Sequence, residues 1–257
     1  MLRPRVIPCL LIHKGGLFKT TQFSQPKYVG DPLNAVRIFN EKQVDELVVA
    51  DIDATVLNRE PDYVLIANLA SECRMPLCYA GGVKTVEQVD RIISLGVEKI
   101  ALGSASVDTP RLIADAAHHV GNQSIVVVID VKKVGFRKRY EVFTRNGKQA
   151  TGLDPAEFAR EVEKLGAGEI LINSIDQDGL MKGYDFALID QVRNAVNLPI
   201  SVLGGAGKLD DLRELFQRYG TIGAVAGSLF VFKGKYRAVL IQYPNQTEKE
   251  ALFSSET

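Results

Sequence analysis

The sequence predicts a single (β/α)8 TIM barrel, an α/β fold, assembled from two similar halves. Three observations carry that prediction. Short β-forming runs alternate with helical patterns throughout the 257 residues, each crossover is long enough for a parallel strand pair, and one glycine motif occurs twice. The motif reads Leu-Cys-Tyr-Ala-Gly-Gly-Val-Lys at 77–84 and Ser-Val-Leu-Gly-Gly-Ala-Gly-Lys at 201–208.

Other short motifs recur in the same order and at the same half-chain spacing. These pairs are Asp31-Pro32 with Asp154-Pro155, Asp51-Ile52-Asp53 with Ser174-Ile175-Asp176, and Gly103-Ser104 with Gly227-Ser228. The repeat predicts one barrel over residues 1–244, with half-barrels of about 1–122 and 123–244. Beyond the barrel, residues 245–257 predict a frayed polar tail.

The composition excludes several classes of partner. Lys and Arg total 31, as do Asp and Glu, so the zero net charge offers no basic groove for nucleic acid and no patch for an anionic membrane. Three cysteines without metal-type spacing indicate reduced thiols in a cytoplasmic protein, without a disulfide framework. No stretch is long enough to span a bilayer. We expect no metal and no cofactor.

Eight short apolar runs predict the strands, and helical patterns lie between them. The clearest strand is a continuous β-branched run at 124–130, typical of burial on both faces. The eight predicted strands span residues 5–11, 46–51, 77–80, 99–102, 124–130, 169–173, 199–203 and 222–226. The helices begin at capping residues and end at glycines. These signals are Asp31-Pro32, Thr85 with Gln88, Thr109-Pro110, Asp154-Pro155, Asp185, Gly96, Gly121 and Gly220.

Three segments depart from this alternation. Residues 13–30, which include Lys19, are too long and polar for a simple turn and predict a functional lid or a disordered loop. Residues 140–144 predict an extra hairpin strand, with Asn146-Gly147 as its turn. Residues 233–243 are apolar but shorter than the other helical patterns, so we expect them to replace a regular final helix.

In such a barrel the active site lies at the carboxyl ends of the strands, where both glycine motifs fall. Glycine loops let backbone N–H groups approach an anion, and the helix after each loop adds its positive end. Gly81-Gly82 with Gly103-Ser104 predict one phosphate cradle, and Gly204-Gly205 with Gly227-Ser228 predict a second across the mouth. Tight turns are the alternative explanation for any one glycine pair.

Carboxylates also fall at the strand ends. Asp51, Asp130 and Asp176 are predicted to face the mouth as general acids or bases, because partial shielding from water raises a carboxyl pKa. Asp130 ends a run of apolar β formers, where burying a charged group is costly and therefore indicates a functional role. For Asp178 a helix cap or a loop hydrogen bond is the preferred interpretation. The repeat aligns Leu11 with Asp130, so a symmetric pair of catalytic acids lacks one member.

A second group of charged residues lies at the amino ends of the strands. Its members are Arg5, Glu46, Lys99 and Glu169. Two positive and two negative side chains, spaced around the barrel, can close a salt-bridged ring across its floor. Ordinary solubilising charges are the alternative, because this end of a barrel normally contributes to stability.

In combination, the motifs resemble those of the HisF family, the cyclase subunit of imidazole glycerol phosphate synthase, over nearly the whole chain. Five of them stand in the family's order and spacing: Val-Asp-Glu-Leu at 44–47, Ala-Gly-Gly-Val at 80–83, Gly-Ala-Gly-Glu-Ile at 166–170, Ser-Ile-Asp-Gln-Asp-Gly at 174–179 and Gly-Gly-Ala-Gly-Lys at 204–208. The resemblance implies a lyase-type reaction in which ammonia and a bisphosphorylated ribulosyl formimino nucleotide form the imidazole ring.

The resemblance also implies partners and residue roles. A HisH-like glutaminase would dock on the barrel floor as a heterodimer and pass ammonia through a charged gate. The residues that match the gate are Arg5, Glu46, Lys99 and Glu169. Asp130 matches a catalytic aspartate, and Lys19 matches the lysine of a mobile loop. The positions that match the family's phosphate loops are Gly82, Ser104, Asp178, Gly179, Gly205 and Ser228.

Three positions depart from the family pattern. Leu11 stands where the family has its other catalytic aspartate, Gly103 where it has an asparagine, and Asn173 where it has a threonine. Losing a general acid–base group commonly costs about two to four orders of magnitude in rate. We therefore expect a HisF-like paralogue that receives ammonia but serves another phosphorylated or sugar acceptor. One similar group acts with a glutaminase and a third amidotransferase protein to place acetamidino groups on surface polysaccharide sugars.

Two alternatives stay open. One is an ordinary imidazole glycerol phosphate synthase subunit of histidine biosynthesis, in which Asp51 or Asp176 substitutes for the acid missing at Leu11. The other is a non-catalytic ammonia conduit whose barrel only docks its partners.

Overall fold

The computed structural model describes residues 3–253 and confirms the predicted barrel, in which eight parallel strands close into a ring with helices between them. The strands are β1 (Arg5–His13), β2 (Gly16–Thr21), β3 (Ser24–Gly30), β4 (Leu47–Asp51), β5 (Leu77–Ala80), β6 (Lys99–Leu102), β7 (Ile125–Val134), β8 (Arg139–Thr144), β9 (Gln149–Ala150), β10 (Glu169–Ser174), β11 (Ile200–Leu203), β12 (Gly223–Ala226), β13 (Phe232–Lys233) and β14 (Ala238–Val239).

Helices connect the barrel strands. They are α1 (Pro32–Glu41), α2 (Tyr63–Glu72), α3 (Val86–Ser94), α4 (Ser104–Asp108), α5 (Arg111–Val120), α6 (Pro155–Lys164), α7 (Phe186–Arg193), α8 (Leu209–Tyr219), α9 (Ser228–Val231) and α10 (Gln246–Phe253). Single 3₁₀ turns lie at Asn122–Ser124 and Ile175–Gln177. Asp31, Thr85, Asp154 and Asp185 cap their helices as predicted, each accepting a first-turn N–H. Within residues 3–253 every helix is too short or too polar to cross a membrane.

The barrel ring runs β1–β4–β5–β6–β7–β10–β11–β12 and back to β1, with every neighbouring pair parallel. Arg5 pairs in register with Gly223 where the ring closes, and Asp130 pairs with Asn173 within the second half. Because successive side chains of a strand point to opposite faces, this register aligns the inward residues in layers across the barrel.

Two apolar clusters follow from that alternation. The larger lies between the strands and the helices and includes Leu10, Ile129 and Ile172. The smaller fills the barrel interior, and its buried members are Ile7, Cys9, Val48, Cys78, Ala101, Val126, Leu171 and Val225. The interior is therefore charged at the amino end of the strands, apolar in the middle and polar at the carboxyl end.

Of the two expectations for residues 13–30, a disordered loop is wrong, because this segment forms regular strands. β1 continues to His13, and β2 and β3 form an antiparallel ribbon that extends it over the carboxyl face. Gly15 has a φ of +76°, which allows the tight reversal after His13. Leu17 and Lys19 on β2 are buried, so one face of the ribbon is anchored by contacts that chain length alone does not reveal.

The second half carries a matching ribbon. β7 continues to Val134 and pairs antiparallel with β8, and β8 pairs with β9. The extra strand predicted at 140–144 is thereby confirmed, and its turn contains Asn146 and Gly147, both with positive φ. Each half of the barrel thus raises one β-ribbon over the carboxyl face.

The end of the chain differs from the prediction of a polar tail. Residues 233–243 form no helix, and β13 and β14 pair there in a short ribbon. A frayed tail is wrong for residues 246–253, which form α10 and pack against α8, whereas residues 254–257 lie outside the described residues. Leu252 of α10 is only 1% exposed. This packing is tertiary, so the local polarity of the segment concealed the helix.

We expect Leu252→Ala to lower the free energy of unfolding by about 2–5 kcal/mol, because truncating a large buried side chain leaves a cavity. Urea denaturation followed by circular dichroism measures the change. Thr247→Ala, at an exposed position of α10, is the matched control and should change stability by less than about 0.5 kcal/mol. Equal stability of the Leu252→Ala and wild-type proteins would contradict the docking of α10.

Candidate active site

A cavity of about 590 Å³ opens at the carboxyl ends of the barrel strands. Strand ends and the two β-ribbons form its walls, and inward side chains of the barrel interior form its base. The residues at the base are Cys9, Val48, Ala101 and Leu171. The active site of a (β/α)8 barrel lies at this face, and cavities of this size accommodate small organic ligands.

Most of the predicted site residues line this one cavity. They are Lys19, Asp51, Gly82, Gly103, Ser104, Asp130, Asp178, Gly179, Gly205, Gly227 and Ser228. Asp176 does not line it, because β10 ends at Ser174 and the following 3₁₀ turn directs its carboxylate to the backbone N–H of Lys133, 2.8 Å away. The prediction that Asp176 faces the mouth is therefore wrong.

The two glycine motifs bend in the same way at their strand ends. Gly81 and Gly204 have φ values of +122° and +100°. A Cβ would lie 2.4 Å from the carbonyl oxygen of Asp51 in the first case and 2.6 Å from that of Ser174 in the second, so only glycine fits. Tight turns thus explain these two glycines. Gly103 differs, because an added Cβ would meet no non-neighbouring atom of the described chain within 4 Å.

A buried lysine lies beside the second glycine group. Lys19 is 5% exposed, and its Nζ donates to the carbonyl oxygen of Cys9 at 2.5 Å. It packs against Gly227, where a Cβ would come within 2.2 Å of Nζ. Burial lowers the pKa of Lys19, and the neighbouring Cys9 and Asp178 oppose that shift. The ribbon of β2 and β3 therefore brings one cation to this side of the cavity.

The other ribbon brings a cation that sequence reasoning did not identify. Arg145 lines the cavity, and its backbone N–H donates to Ser104 Oγ at 3.0 Å. Its guanidinium contacts Asp108 at 3.2 Å and Gln149 at 2.8 Å. Arg145 precedes the Asn146-Gly147 turn in a hairpin that follows a barrel strand. That position is the signal that could have identified it, because such a hairpin rises over the carboxyl face.

Asp130 lies on the inward face of β7, where the strand leaves the barrel to pair with β8, and lines the cavity. Burial raises its pKa to about 7, the amide Nδ2 of Asn173 at 2.8 Å opposes that shift, and the charge of Asp178 adds to it. A carboxyl group with a pKa near neutrality can both accept and release a proton.

The other three cavity carboxyls in the described chain are held by their neighbours. Asp51 Oδ1 accepts two loop backbone N–H groups at 2.9 and 3.1 Å, and Asp108 pairs with Arg145. Asp178 Oδ2 accepts hydrogen bonds at 2.7 and 3.1 Å from two residues of the β2–β3 segment. Asp130 is therefore the cavity carboxyl most available for proton transfer. Among residues 3–253, no group of three or more His, Cys, Asp or Glu side chains could hold a metal ion.

The four charged residues at the amino ends of the strands form a closed ring. Arg5 bonds Glu46 and, at 2.6 Å, Glu169. Lys99 bonds the same two carboxylates, at 3.0 and 2.9 Å. Burial would raise the pKa of Glu169, but Arg5 and Lys99 lower it below its ordinary value. Both glutamates are buried, so ordinary solubilising charge does not describe them.

Known proteins resemble this chain along almost its full length. The family model described as Histidine biosynthesis protein matches residues 5–237. A Leptospira interrogans protein provisionally named imidazole glycerol phosphate synthase subunit HisF is 54% identical over 253 residues, 98% of this chain and 100% of that protein. A Vibrio vulnificus protein provisionally named subunit hisF3 is 56% identical over 250 residues, 97% and 96% of the two chains. Imidazole glycerol phosphate synthase subunit HisF of Lactococcus lactis is 39% identical over 230 residues, 90% and 89% of the two chains.

This chain belongs to the HisF family. In this HisF barrel, Leu11 on the inward face of β1 lines the cavity at the place that the repeat aligns with Asp130. The adjoining ribbon contributes Lys19, and none of the four cavity carboxyls within residues 3–253 lies on β1, β2 or β3. Within the described residues, no carboxyl group of these three strands therefore replaces the one that is missing at Leu11.

One apolar layer separates the charged floor of this HisF barrel from its cavity. Val48, Ala101 and Leu171 line the cavity. Each lies two positions after a member of the charged ring, and two strand residues span about 6.6 Å. The interior side chains that lie outside the cavity wall are Ile7, Cys78, Val126 and Val225. The distance from floor to cavity is therefore short, and the interior side chains that the structure describes between them are uncharged.

We expect Asp130→Asn to be more stable than the wild-type protein at pH 8, with a smaller difference at pH 5. The folded-state pKa near 7 exceeds the ordinary aspartate value, so the folded protein binds the additional proton and stability falls as pH rises from about 4 to 7. The upper limit of the effect is about 4 kcal/mol. Urea denaturation of both proteins at the two pH values measures it.

The matched control is Asp115→Asn, an exposed carboxyl on α5 that should show little pH-dependent difference. An Asp130→Asn stability difference that is equal at both pH values would contradict the raised pKa of Asp130.

Proposed function

We propose that this chain is the synthase subunit of a glutamine amidotransferase, which carries ammonia from a HisH-like glutaminase at the barrel floor to a phosphorylated acceptor in the cavity. The observation that carries the proposal is the single apolar layer between the charged ring and the cavity. The glutaminase partner is supported by the relatives' names, which describe subunits of imidazole glycerol phosphate synthase.

The interior suits neutral ammonia better than ammonium. A cation entering the layer formed by Ile7, Cys78, Val126 and Val225 would lose its hydration without gaining a counter-charge, which costs several kcal/mol. The ring must open for ammonia to enter. Arg5 and Lys99, whose side chains are 22% and 18% exposed, are the members nearer solvent and the ones we propose move.

Two anion sites on opposite sides of the mouth suit an acceptor with a phosphate at each end. The strand ends of β5 and β6 supply one glycine cradle, with Arg145 beside it. The strand ends of β11 and β12 supply the other, with Lys19 beside it. Backbone donors combined with one cation are a favourable environment for phosphate.

We assign the proton transfer of the amination to Asp130. When the lone pair of ammonia bonds an electrophilic carbon, the π electrons move to the heteroatom and the nitrogen must release a proton, which an ionised Asp130 can accept. Closure of an imidazole ring in the family reaction uses a second acid–base group, and Leu11 supplies none. We therefore propose an acceptor other than the family's ribulosyl formimino nucleotide.

The acceptor chemistry we propose is formation of an acetamidino group on a surface-polysaccharide sugar, together with a third amidotransferase protein. The ammonia nitrogen replaces the carbonyl oxygen of an acetamido group, and that oxygen leaves as water. In support, the relatives at 54% and 56% identity carry provisional or numbered names, whereas the 39% identical relative is named HisF without qualification. An ordinary cyclase is the second candidate. It would require Asp51 to replace the missing acid, although Asp51 is held by two backbone N–H groups.

Turnover of the ribulosyl formimino nucleotide with ammonium salts tests this proposal. We expect the wild-type protein to be slow and Leu11→Asp to raise the rate by about two to four orders of magnitude, because the substitution restores a second acid–base group. Chromatography of the aminoimidazole carboxamide product measures the rate. Leu11→Asn, of similar size but without a titratable group, is the matched control and should give no such gain.

A wild-type rate equal to that of Leu11→Asp would contradict our proposal and favour the ordinary cyclase. Failure of the wild-type protein to bind any bisphosphorylated nucleotide would contradict the phosphorylated acceptor and favour a conduit that only docks partners.

We expect Arg145→Gln to weaken binding of the bisphosphorylated nucleotide by about 10- to 100-fold, because it removes a charged donor beside one cradle. Isothermal titration calorimetry at fixed salt concentration measures the affinity. Arg139→Gln, in the same hairpin but paired with Glu141 and outside the cavity wall, is the matched control and should bind as the wild type does. Unchanged affinity in Arg145→Gln would show that the first cradle does not use this cation.

A further inference from the structure

A buried amide oxygen without a partner lies in the cavity wall. Asn173 is 6% exposed and lines the cavity from the inward face of β10. Its Nδ2 donates to Asp130 Oδ1 at 2.8 Å, whereas its Oδ1 is shielded from solvent and accepts no hydrogen bond within residues 3–253. An unsatisfied buried carbonyl group costs about 1–3 kcal/mol. It therefore marks a place for a small hydrogen-bond donor.

This oxygen lies where the apolar interior ends. The inward residues of β10 are Glu169 in the floor ring, Leu171 at the cavity base, and then Asn173. Four strand residues span about 13 Å, so a molecule that passes the ring reaches this amide after one short apolar passage. Among the side chains on β10 and its neighbour β7, the amide of Asn173 and the carboxyl of Asp130 are the first polar groups above the apolar layer.

Few charged groups face this corner of the cavity. Asp178 lies near enough to raise the pKa of Asp130, and its own carboxylate is held by Thr20. Lys19 directs its Nζ to the carbonyl oxygen of Cys9. Neither group is a hydrogen-bond partner of Asn173 Oδ1, so this oxygen and the carboxyl group that accepts from the same amide both remain as acceptors above the apolar layer.

We propose that Asn173 Oδ1 and the carboxyl group of Asp130 form a receiving site for ammonia at the upper end of the barrel interior. Ammonia has three N–H donors and one lone pair. Two of its N–H groups can donate to these two oxygens, which leaves the lone pair free to face an acceptor in the cavity. Asn173 is in this respect a positioning residue, since it orients the nitrogen and also holds Asp130.

This inference rests on the proposed delivery of ammonia to the cavity, and it adds the atoms that hold the nitrogen there. Binding at the site can be measured without any acceptor. Loss of nucleotide turnover and loss of ammonium binding are therefore separate results.

The experiment titrates the full-length chain, labelled with ¹³C at aspartate carboxyl groups, in ammonium chloride or in potassium chloride at equal ionic strength. Asp130→Asn assigns the signal. The pH is varied around 7, where Asp130 titrates. In that range the species in solution is mainly ammonium, which carries the same kind of N–H donors as ammonia. We expect ammonium to lower the apparent pKa of Asp130 by about one unit or more in a saturable manner, because a nearby cation favours the ionised carboxyl. Potassium should give no such saturable shift.

Asn173→Leu should abolish the saturable shift, because it removes the amide oxygen at similar side-chain volume. Asn68→Leu, at an exposed position of α2, is the matched control and should retain it. Equal shifts in the two salts, or an undiminished ammonium shift in Asn173→Leu, would overturn the inference. If Asn173→Leu does not fold, the wild-type protein still tests the inference, because equal shifts of the Asp130 pKa in ammonium and potassium chloride would overturn it.

Discussion

Closure of eight parallel strands in one register is the constraint on which the functional features depend. It aligns inward side chains in layers, so the ring containing Arg5 and Glu46 lies at the floor and Asp130 and Asn173 lie at the mouth. A shift of one residue in any strand would turn its inward side chains to the helices. The ring, the apolar layer and the cavity are thus three consequences of the same pairing.

The two halves share a scaffold but differ in chemistry. Each half raises one β-ribbon over the carboxyl face, and each ribbon brings one cation to a glycine cradle, Lys19 in one half and Arg145 in the other. That symmetry suits an acceptor with an anion at both ends. The proton-transfer groups are not symmetric, because Asp130 faces the cavity and its counterpart is Leu11. The asymmetry supports a reaction that needs one proton acceptor rather than a pair.

Much of the fold could be predicted from local patterns. Short apolar runs between helical patterns predicted the eight strands, and capping residues such as Asp31 and Asp154 predicted where helices begin. Both signals depend on only a few neighbouring residues. The buried Lys19 and the docked α10 could not be predicted, since each depends on contacts with distant segments. For the site, the position of Asp130 followed from its strand, whereas a single 3₁₀ turn redirected Asp176.

We propose that two anion cradles flank a cavity with one available carboxyl group. A crystal structure of the chain with the ribulosyl formimino nucleotide bound would test this arrangement. We expect one phosphate to lie against Ser104 and the other against Ser228, with Asp130 facing the reacting atoms and Leu11 touching the ligand only through carbon. A nucleotide whose phosphates lie away from both cradles, or the carboxylate of Asp51 turned into the space beside Leu11, would contradict it.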